Sequence, residues 1–466
     1  MKTGGSSDVA RIFRFTALLQ RTGWITPAFV SIDSAGRITD ISNEPATDSQ
    51  ATVEEVAGFA LPGFINAHSH AFQYAMAGRA ERHPEGIDDD FWSWRELMYK
   101  YALALDPDDV QRIAAMAYTA MLKCGFTHVV EFQYLHHDKS GKPYKHLSEM
   151  STSLLAAAAV AGIRITLVPV YYNKGGFGKK PRPNQARFCF KDVDQYLRLL
   201  EECERAASSM STARTGYGVH SLRAAEGEDI IRIVENGSAG RPFHMHVAEQ
   251  VREVEEAVSY LKRRPVEWVL ENLPVNEEFH LVHCTHVTDD ELLHLAQRRA
   301  NVVLCPSTEA NLGDGIFRLW EYASDNGQWS IGTDSHIGID PLEEMRWLDY
   351  GQRLTRRSRS TFDDGATTLI EQTFLAGKRA AGLHDEEYFS IGGFLDAVVY
   401  RDDLPLSATE KADYVLPTLV YHQNSSAARG TLIGGQWVVQ EHRHGREDEI
   451  ADLFKKTMSR IETRAK

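Results

Sequence analysis

Two histidines separated by one residue are the first candidates for chemistry in this sequence. His68 and His70 lie in the apolar segment LPGFINAHSHAFQ, which reads as a β-strand and the start of a loop. Because the side chains of a strand alternate between its two faces, both imidazoles face the same way. Two neutral imidazoles placed in this way can bind one divalent transition metal. The pair alone is weak support for a metal site, since the chain contains two further His-x-His pairs.

Three other segments end in residues of the same chemical type. PFHMHVAEQ contains His246 and, three residues later, Glu249; HLVHCTH contains His283, and SIGTDSH contains Asp334. A carboxylate at Asp334 can complete a site of three imidazoles and one carboxylate. Glu249 is placed to move protons at a water molecule in that site, although an acidic residue in the first turn of a helix is its alternative interpretation.

Several nearby residues are expected to serve the structure instead. His244 lies one layer deeper on its strand and is interpreted as a packed histidine of the core. His286 and His336 lie beyond the ends of their strands and are interpreted as bystanders, and Lys174 is interpreted as a loop lysine.

These residues need a scaffold that brings strand ends together. From about residue 61, apolar runs alternate with amphipathic helical stretches, such as the helix predicted at Asp108–Lys123 with Asp106 as its N-cap. This alternation predicts an α/β fold, a (β/α)8 TIM barrel over residues 61–385, with an open doubly wound sheet as the alternative. The predicted strands are Leu61–Asn66, Thr127–Phe132, Arg164–Tyr171, Thr215–His220, Pro242–Val247, His280–His283, Asn301–Cys305 and Gln328–Thr333.

The two ends of the chain do not follow this alternation. Residues 1–60 and 386–466 are predicted to pair into a small flanking β-sandwich domain formed from both termini. In the stretch IGGFLDAVVY, Phe394 and Leu395 precede the predicted strand, and the sequence does not determine the register in which that strand pairs. The strands predicted there are Ala28–Ile32, Ile38–Ile41, Asp396–Tyr400, Thr418–Tyr421 and Thr431–Val439.

Composition limits the classes of partner. The 466 residues contain 51 Lys and Arg against 65 Asp and Glu, a net charge of −14. Such a surface repels nucleic acid and anionic lipid, and no apolar run approaches the length of a membrane span. The five cysteines are scattered and fit a reducing cytoplasm. We therefore expect a cytoplasmic protein with no nucleic-acid partner and no membrane partner. The acidic balance does not exclude a small anionic substrate, because a few arginines can form a local positive pocket.

The order of His-x-His, His, His and Asp at successive strand ends resembles the amidohydrolase superfamily over nearly the whole chain. The resemblance implies that Glu249, His283 and Asp334 transfer protons. It also implies one Zn²⁺ per chain, with Fe²⁺ as the alternative ion, and it makes a homodimer the expected assembly. The resemblance favours a single metal, because the two-metal branches of the superfamily use a carboxylated lysine on an intermediate barrel strand and the predicted fourth strand ends without a lysine. The metal ligands implied by the mononuclear deaminase branch are His68, His70, His246 and Asp334.

Further segments are similar to one family within this superfamily, the N-formimino-L-glutamate deiminases of histidine degradation. They are FINAHSHAFQYAMAGRAE, FWSWRELMYKY, EFQYLHH and GVHSLRAA. The resemblance implies hydrolysis of N-formimino-L-glutamate to N-formyl-L-glutamate and ammonia. The substrate-binding residues that it implies are Gln73, Arg95, Tyr134, His220 and Arg223.

The types of two of these residues agree with that substrate. Planar guanidinium groups bind carboxylates through two parallel hydrogen bonds, which suits Arg95 and Arg223 to a dicarboxylate. The alternative for Arg95 is an exposed helix arginine stacked on Trp92 or Trp94. Two rival functions stay open: a nucleobase or aminotriazine deaminase of the same superfamily, and a non-catalytic barrel that binds or assembles other proteins.

Overall fold

The computed structural model describes residues 9–45, 51–81, 89–237, 240–405 and 412–464. The outermost predicted domain limits, residues 1 and 466, therefore lie outside the described residues. In chain order the strands are β1 (Arg11–Gln20), β2 (Gly23–Ile25), β3 (Ala28–Ile32), β4 (Ile38–Ser42), β5 (Thr52–Pro62), β6 (Phe64–Ser69), β7 (Phe126–Gln133), β8 (Arg164–Tyr171), β9 (Ala213–Thr215), β10 (Tyr217–Val219), β11 (Phe243–Val247), β12 (Phe279–His283), β13 (Asn301–Leu304), β14 (Gln328–Ile331), β15 (Ala397–Tyr400), β16 (Ala428–Ile433), β17 (Gln436–Gln440) and β18 (Arg443–His444).

The helices alternate with the strands from β6 onward. Within the described residues, none of them is long and apolar enough to cross a membrane. They are α1 (Phe91–Ala104), α2 (Pro107–Lys123), α3 (Glu149–Ala161), α4 (Val193–Ser208), α5 (Gly227–Asn236), α6 (Val251–Leu261), α7 (Pro265–Asn272), α8 (Asp289–Gln297), α9 (Pro306–Leu312), α10 (Leu319–Ser324), α11 (Pro341–Arg356), α12 (Thr367–Ala380), α13 (Val415–His422) and α14 (Glu447–Arg464).

Helix α2 shows how local sequence sets these boundaries. The Asp106 side chain accepts the backbone N–H of Asp109, whose side chain accepts the N–H of Asp106 in return. Pro107 fits the first turn because a proline has no N–H to leave unpaired there. The predicted N-cap is confirmed.

The central sheet is the predicted parallel barrel. Its strands follow the order β6, β7, β8, β10, β11, β12, β13 and β14, with β9 paired to β8. Backbone bonds close the ring: His70 N–H donates to Asp334 O (3.1 Å), and Asp334 N–H donates to His68 O (3.0 Å). Closure therefore places the two ends of the barrel sequence, and their candidate ligands, side by side.

A second sheet combines the two ends of the chain, as predicted. Its order is β18, β17, β16, β15, β5, β1, β3 and β4, with β2 paired to β1. The join between the two parts is antiparallel, with Ala397 opposite Pro62 and Tyr400 opposite Phe59, and this fixes the register that the sequence left open.

Two predicted strands at the C-terminal end were wrong. The segment Thr418–Tyr421 lies in α13, where Leu416, Leu419 and Val420 are buried at helical spacing. A short apolar run does not by itself distinguish strand from helix. The single strand predicted at Thr431–Val439 is a hairpin, because Gly434 and Gly435 both have positive φ (56° and 69°) and form its turn.

Candidate active site

Four side chains converge at the carboxyl ends of β6, β11 and β14. The Nε2 atom of His68 lies 3.1 Å from Nε2 of His70 and 3.0 Å from Nε2 of His246. Oδ1 of Asp334 lies 3.2 Å from His70 Nε2. The ligand atoms of all four buried residues lie within 4.8 Å of one another. Three imidazole nitrogens and one carboxylate oxygen around a single point form a set that a divalent transition metal can bind.

Backbone carbonyl groups set the orientation of two of these rings. Nδ1 of His70 lies 2.9 Å from the carbonyl oxygen of Phe132, and Nδ1 of His246 lies 3.0 Å from that of His220. A ring whose Nδ1–H donates to a carbonyl presents an unprotonated Nε2, which is the form that binds a metal. The carbonyl of His220 therefore contributes to the site in addition to its side chain.

The charge states of the cluster also suit a cation. Burial and the neighbouring imidazoles hold the pKa of His68 and of His246 well below the usual range, so both rings are neutral. Burial alone would raise the pKa of Asp334, but His70 and the other imidazoles lower it, and the carboxylate stays ionised. One negative charge and neutral nitrogens are what a divalent ion requires of its ligands. The residues present therefore fit a bound metal.

His283 lies beside this cluster and contacts three carboxylates. Its Nδ1 lies 3.1 Å from Glu309 Oε1, and its Nε2 lies 3.8 Å from Glu249 Oε1 and 3.7 Å from Asp334 Oδ2. Burial lowers the pKa of His283, but Glu249, Glu309 and Asp334 together raise it to about 10. Nδ1 of His283 thus faces Glu309, and its Nε2 faces the space between Glu249 and Asp334.

The backbone at two of these positions is left-handed. His283 has φ 70° and Asp334 has φ 44°, and neither residue is glycine. Such conformations cost about 1–3 kcal/mol and are retained where the surroundings enforce them. Here the barrel closure bonds hold Asp334, and the sharp turn points each side chain into the mouth of the barrel.

A pocket opens over the cluster. The predicted substrate residues all line it, and within it Gln73 Nε2 donates to Tyr134 Oη over 2.9 Å. These residues are Gln73, Arg95, Tyr134, His220 and Arg223. The structure therefore brings together every residue that the sequence assigned to substrate binding; their roles in binding stay predictions.

The two arginines differ in how they are paired. Nη2 of Arg223 lies 2.8 Å from Glu249 Oε2, and its Nε lies 3.7 Å from Glu253 Oε1, so buried carboxylates neutralise its charge. Arg95 has no carboxylate partner among the described residues. Its guanidinium lies 4.4 Å from the ring centre of Trp92 and 5.6 Å from that of Tyr99. The stacking that the alternative interpretation of Arg95 predicted therefore occurs, but at the wall of the pocket.

Two of the residues interpreted as structural are separate from the cluster of His68, His70, His246 and Asp334. His244 Nε2 bonds the carbonyl of Ala380 (3.0 Å), and Lys174 pairs with Glu226 (2.7 Å). His336 differs from its interpretation as a bystander. It is buried against the cluster, with Nε2 3.2 Å from the Ser69 hydroxyl, and so braces the loop that carries His68 and His70.

Sequence analysis missed three buried acidic residues around the site. Glu309 contacts His283, Glu253 pairs with Arg223, and Glu131 accepts the Ser69 hydroxyl (2.6 Å). One signal was present for Glu309 and Glu253: each follows the end of a barrel strand within a few residues. Glu131 lies inside β7, and only its position in an apolar strand marked it.

The position of His244 predicts a stability defect without loss of metal. Its ring is fully buried and stacks on His280, with centroids 4.6 Å apart. We expect His244→Ala to lower the free energy of unfolding by about 2–4 kcal/mol, because the change removes a buried hydrogen bond and leaves a cavity. Urea unfolding measures the loss, and the metal content of the folded variant should equal that of the parent.

Comparisons with known proteins agree with this geometry. The model of the amidohydrolase family matches residues 59–438. Formimidoylglutamate deiminase from Pseudomonas aeruginosa is 36% identical over 458 residues, which cover 97% of this chain and 100% of that protein. 5-Methylthioadenosine/S-adenosylhomocysteine deaminase from Natronomonas pharaonis is 26% identical and covers 90% of this chain and 89% of its own.

Solved structures resemble the whole fold. The crystal structure of an amidohydrolase from Brucella melitensis superimposes with a TM-score of 0.89 at 35% identity. The match covers 97% of this chain and 99% of the other. Both the barrel and the flanking sheet are therefore shared with that protein.

Proposed function

The chain belongs to the amidohydrolase family and is a hydrolase of C–N bonds, and from this premise we propose that it hydrolyses N-formimino-L-glutamate to N-formyl-L-glutamate and ammonia. The observation that carries the proposal is the Arg95 guanidinium, which has no carboxylate partner in the described part of the chain and lies in the same pocket as the cluster of three histidines and one aspartate. The 36% identical deiminase supports the same substrate.

We further propose that the metal is one zinc ion per chain. Three imidazoles and one carboxylate are a common ligand set for zinc, and iron(II) is the alternative that the same ligands accept. When bound, the ion would act as a Lewis acid and lower the pKa of a water molecule toward neutrality. The residues that would hold it are His68, His70, His246 and Asp334.

The protein's own groups then move the protons of the reaction. Glu249 or Asp334 accepts a proton from the attacking water, and the water oxygen forms a bond to the formimino carbon. Glu249 passes this proton, received directly or by way of Asp334, to the terminal nitrogen. The hydroxyl proton of the tetrahedral intermediate then reaches the same nitrogen through the carboxylates, a C=O bond forms as the C–N bond breaks, and ammonia leaves. His283, whose Nε2 lies 3.8 Å from Glu249 and 3.7 Å from Asp334, would orient the attacking water and stabilise the tetrahedral intermediate.

Arg223 has two roles in this mechanism. Its ion pair with Glu249 (2.8 Å) fixes the carboxylate that moves protons, and the guanidinium also lines the substrate pocket. Arg95, in contrast, has its positive charge available for a substrate carboxylate. A buried carboxylate without a cation is costly, so this charge favours an anionic substrate over a neutral ring.

Substrate comparison tests the proposal. We expect ammonia release from N-formimino-L-glutamate with a catalytic efficiency at least about 10²-fold above that for N-formimino-L-aspartate, guanine or cytosine, because a misplaced or absent carboxylate leaves buried charge unpaired. A coupled ammonia assay measures all four. Faster release from guanine or cytosine would replace the proposal with the nucleobase alternative.

Arg95→Met tests the carboxylate contact. Methionine keeps an apolar stem but removes the charge, and we expect catalytic efficiency on N-formimino-L-glutamate to fall about 30-fold or more, equal to about 2 kcal/mol, with metal content unchanged. Arg356→Met is the matched control, because Arg356 is also a helix arginine stacked on a tryptophan, Trp320 (3.8 Å), outside the pocket. Equal efficiencies for parent and Arg95→Met would show that Arg95 only stacks.

A further inference from the structure

A buried glutamine fixes two tyrosine hydroxyls behind the pocket wall. Gln185 Nε2 lies 2.8 Å from Tyr172 Oη and 3.1 Å from Tyr99 Oη. Its Oε1 accepts the backbone N–H of Arg182 over 2.8 Å. Since a backbone N–H can only donate, this contact assigns Oε1 and Nε2 without ambiguity. The glutamine therefore donates to both phenol oxygens.

This arrangement decides where the phenol hydrogens point. Both oxygens accept from the same amide, so neither hydroxyl donates to Gln185. If one hydroxyl donates to the other, one phenol hydrogen remains without an acceptor among these three side chains. If neither does, both phenol hydrogens remain without one. Tyr99 and Tyr172 line the active-site pocket and are nearly fully buried. Among the described residues, neither hydroxyl donates to a carbonyl or to any side chain beyond these three. At least one phenol O–H is therefore directed to the pocket, in a buried site where an unused donor is costly.

The Arg95 guanidinium lies on the same side of the pocket as these tyrosines. The guanidinium of Arg95 stands 5.6 Å from the centre of the Tyr99 ring, and both residues project from α1 one turn apart. A guanidinium and neutral hydroxyl donors around one space form a binding site for a carboxylate. Burial raises the pKa of Tyr172, which keeps the phenol protonated as a donor.

We propose that Tyr99 and Tyr172, oriented by Gln185, form with Arg95 a subsite that binds the γ-carboxylate of the substrate. The proposal rests on the proposed function, because that substrate supplies the second carboxylate. Tyr99 and Tyr172 are substrate-binding residues in this scheme, and Gln185 is a positioning residue that acts through them.

The position of the subsite selects the γ-carboxylate over the α-carboxylate. Arg223 is bonded to Glu249, the group that moves protons at the reacting carbon, so the nearby α-carboxylate belongs on that side of the pocket. The His220 ring lies between the rings of Tyr172 and His246. Its centre is 4.9 Å from the centre of each of these rings. A five-carbon dicarboxylate bound between the two ends can reach both.

Removal of the hydroxyls tests the subsite. We expect the double variant Tyr99→Phe/Tyr172→Phe to lose about tenfold to 10²-fold in kcat/KM on N-formimino-L-glutamate, the usual size of hydrogen bonds to a charged group. On N-formimino-L-glutamine, whose γ-carboxylate is replaced by an amide, kcat/KM should equal that of the parent. A merely structural role would lower both values together.

Gln185→Glu tests the positioning role. A carboxylate of nearly the same shape accepts hydrogen bonds where the amide donates them, so it draws the phenol hydrogens away from the pocket. We expect the same selective loss on N-formimino-L-glutamate as for the double variant. The matched control is Tyr171→Phe, since the Tyr171 hydroxyl bonds Asp229 (2.8 Å) outside the pocket; kcat/KM should change less than about twofold.

The outcomes separate the subsite from the proposed function. A parent protein that turns over N-formimino-L-glutamate, with unchanged kcat/KM in Tyr99→Phe/Tyr172→Phe, overturns the subsite alone. An equal loss on both substrates also overturns it, because the effect is then not directed at the γ-carboxylate. A parent that turns over neither substrate overturns the proposed function and the subsite with it.

Discussion

His246→Ala should abolish metal binding and lower turnover by about 10³-fold or more. The Nε2 atom of His246 lies 3.0 Å from that of His68 at the centre of the cluster, and its loss leaves two imidazoles and one carboxylate. A three-ligand remnant binds a divalent ion weakly, and the several kcal/mol of charge stabilisation that the ion supplies disappears with it. Elemental analysis of the purified protein, beside a steady-state ammonia assay, measures both effects.

His244→Ala is the matched control for this variant. His244 lies two residues earlier on the same strand and is equally buried, but it bonds the carbonyl of Ala380 at a deeper layer of the barrel. The pair therefore separates loss of a ligand from loss of packing. Stoichiometric metal and parental turnover in folded His246→Ala would contradict the assignment of the site.

Glu249→Gln should keep the metal and lower turnover by about 10²–10⁴-fold. Glutamine has nearly the same shape as glutamate, but it cannot accept and return a proton. Glu249 is buried, faces His283 and is held by Arg223 over 2.8 Å, so no exposed carboxylate can take its place. The prediction is measured as kcat at saturating substrate, with metal content determined on the same preparation.

Glu255→Gln controls for the change of charge. Glu255 is exposed on α6, six residues along the chain from Glu249, and the same substitution there should leave kcat unchanged. Turnover of Glu249→Gln within about threefold of the parent would assign the proton transfer to Asp334 alone.

Much of the site could be predicted because its residues lie at strand ends. His68 and His70 share a face by the two-residue period of a strand, and the barrel closure then brings Asp334 next to them. The same rule places His246 at the mouth and His244 in the layer below. The barrel, the flanking sheet of both termini and the family membership are confirmed.

The remainder depended on contacts between segments that are distant in sequence. Gln185 lies in a loop 86 positions from Tyr99, and no local pattern shows that the two side chains meet. The ion pair of Arg223 with Glu253 likewise joins a loop to a helix. Sequence chemistry identified Arg223 as a carboxylate binder, but only the fold shows that the protein's own carboxylates occupy it.

Some expectations from the sequence stay predictions. These are the roles of the individual site residues, the homodimer, the cytoplasmic location, the absence of a nucleic-acid partner and the domain limits at residues 60 and 385. The side chains that the sequence assigned to the metal and to the substrate nevertheless lie in one buried cluster and one pocket.

The products of the reaction show whether the protein removes ammonia from N-formimino-L-glutamate. Attack of water on the formimino carbon gives an intermediate with two nitrogens, and the identity of the nitrogen that leaves defines the reaction. N-Formimino-L-glutamate labelled with ¹³C at that carbon is incubated with the enzyme and followed by NMR. We expect all of the label in N-formyl-L-glutamate, with one equivalent of ammonia. Label in formamide with release of L-glutamate, or no turnover by metal-loaded protein, would contradict this expectation.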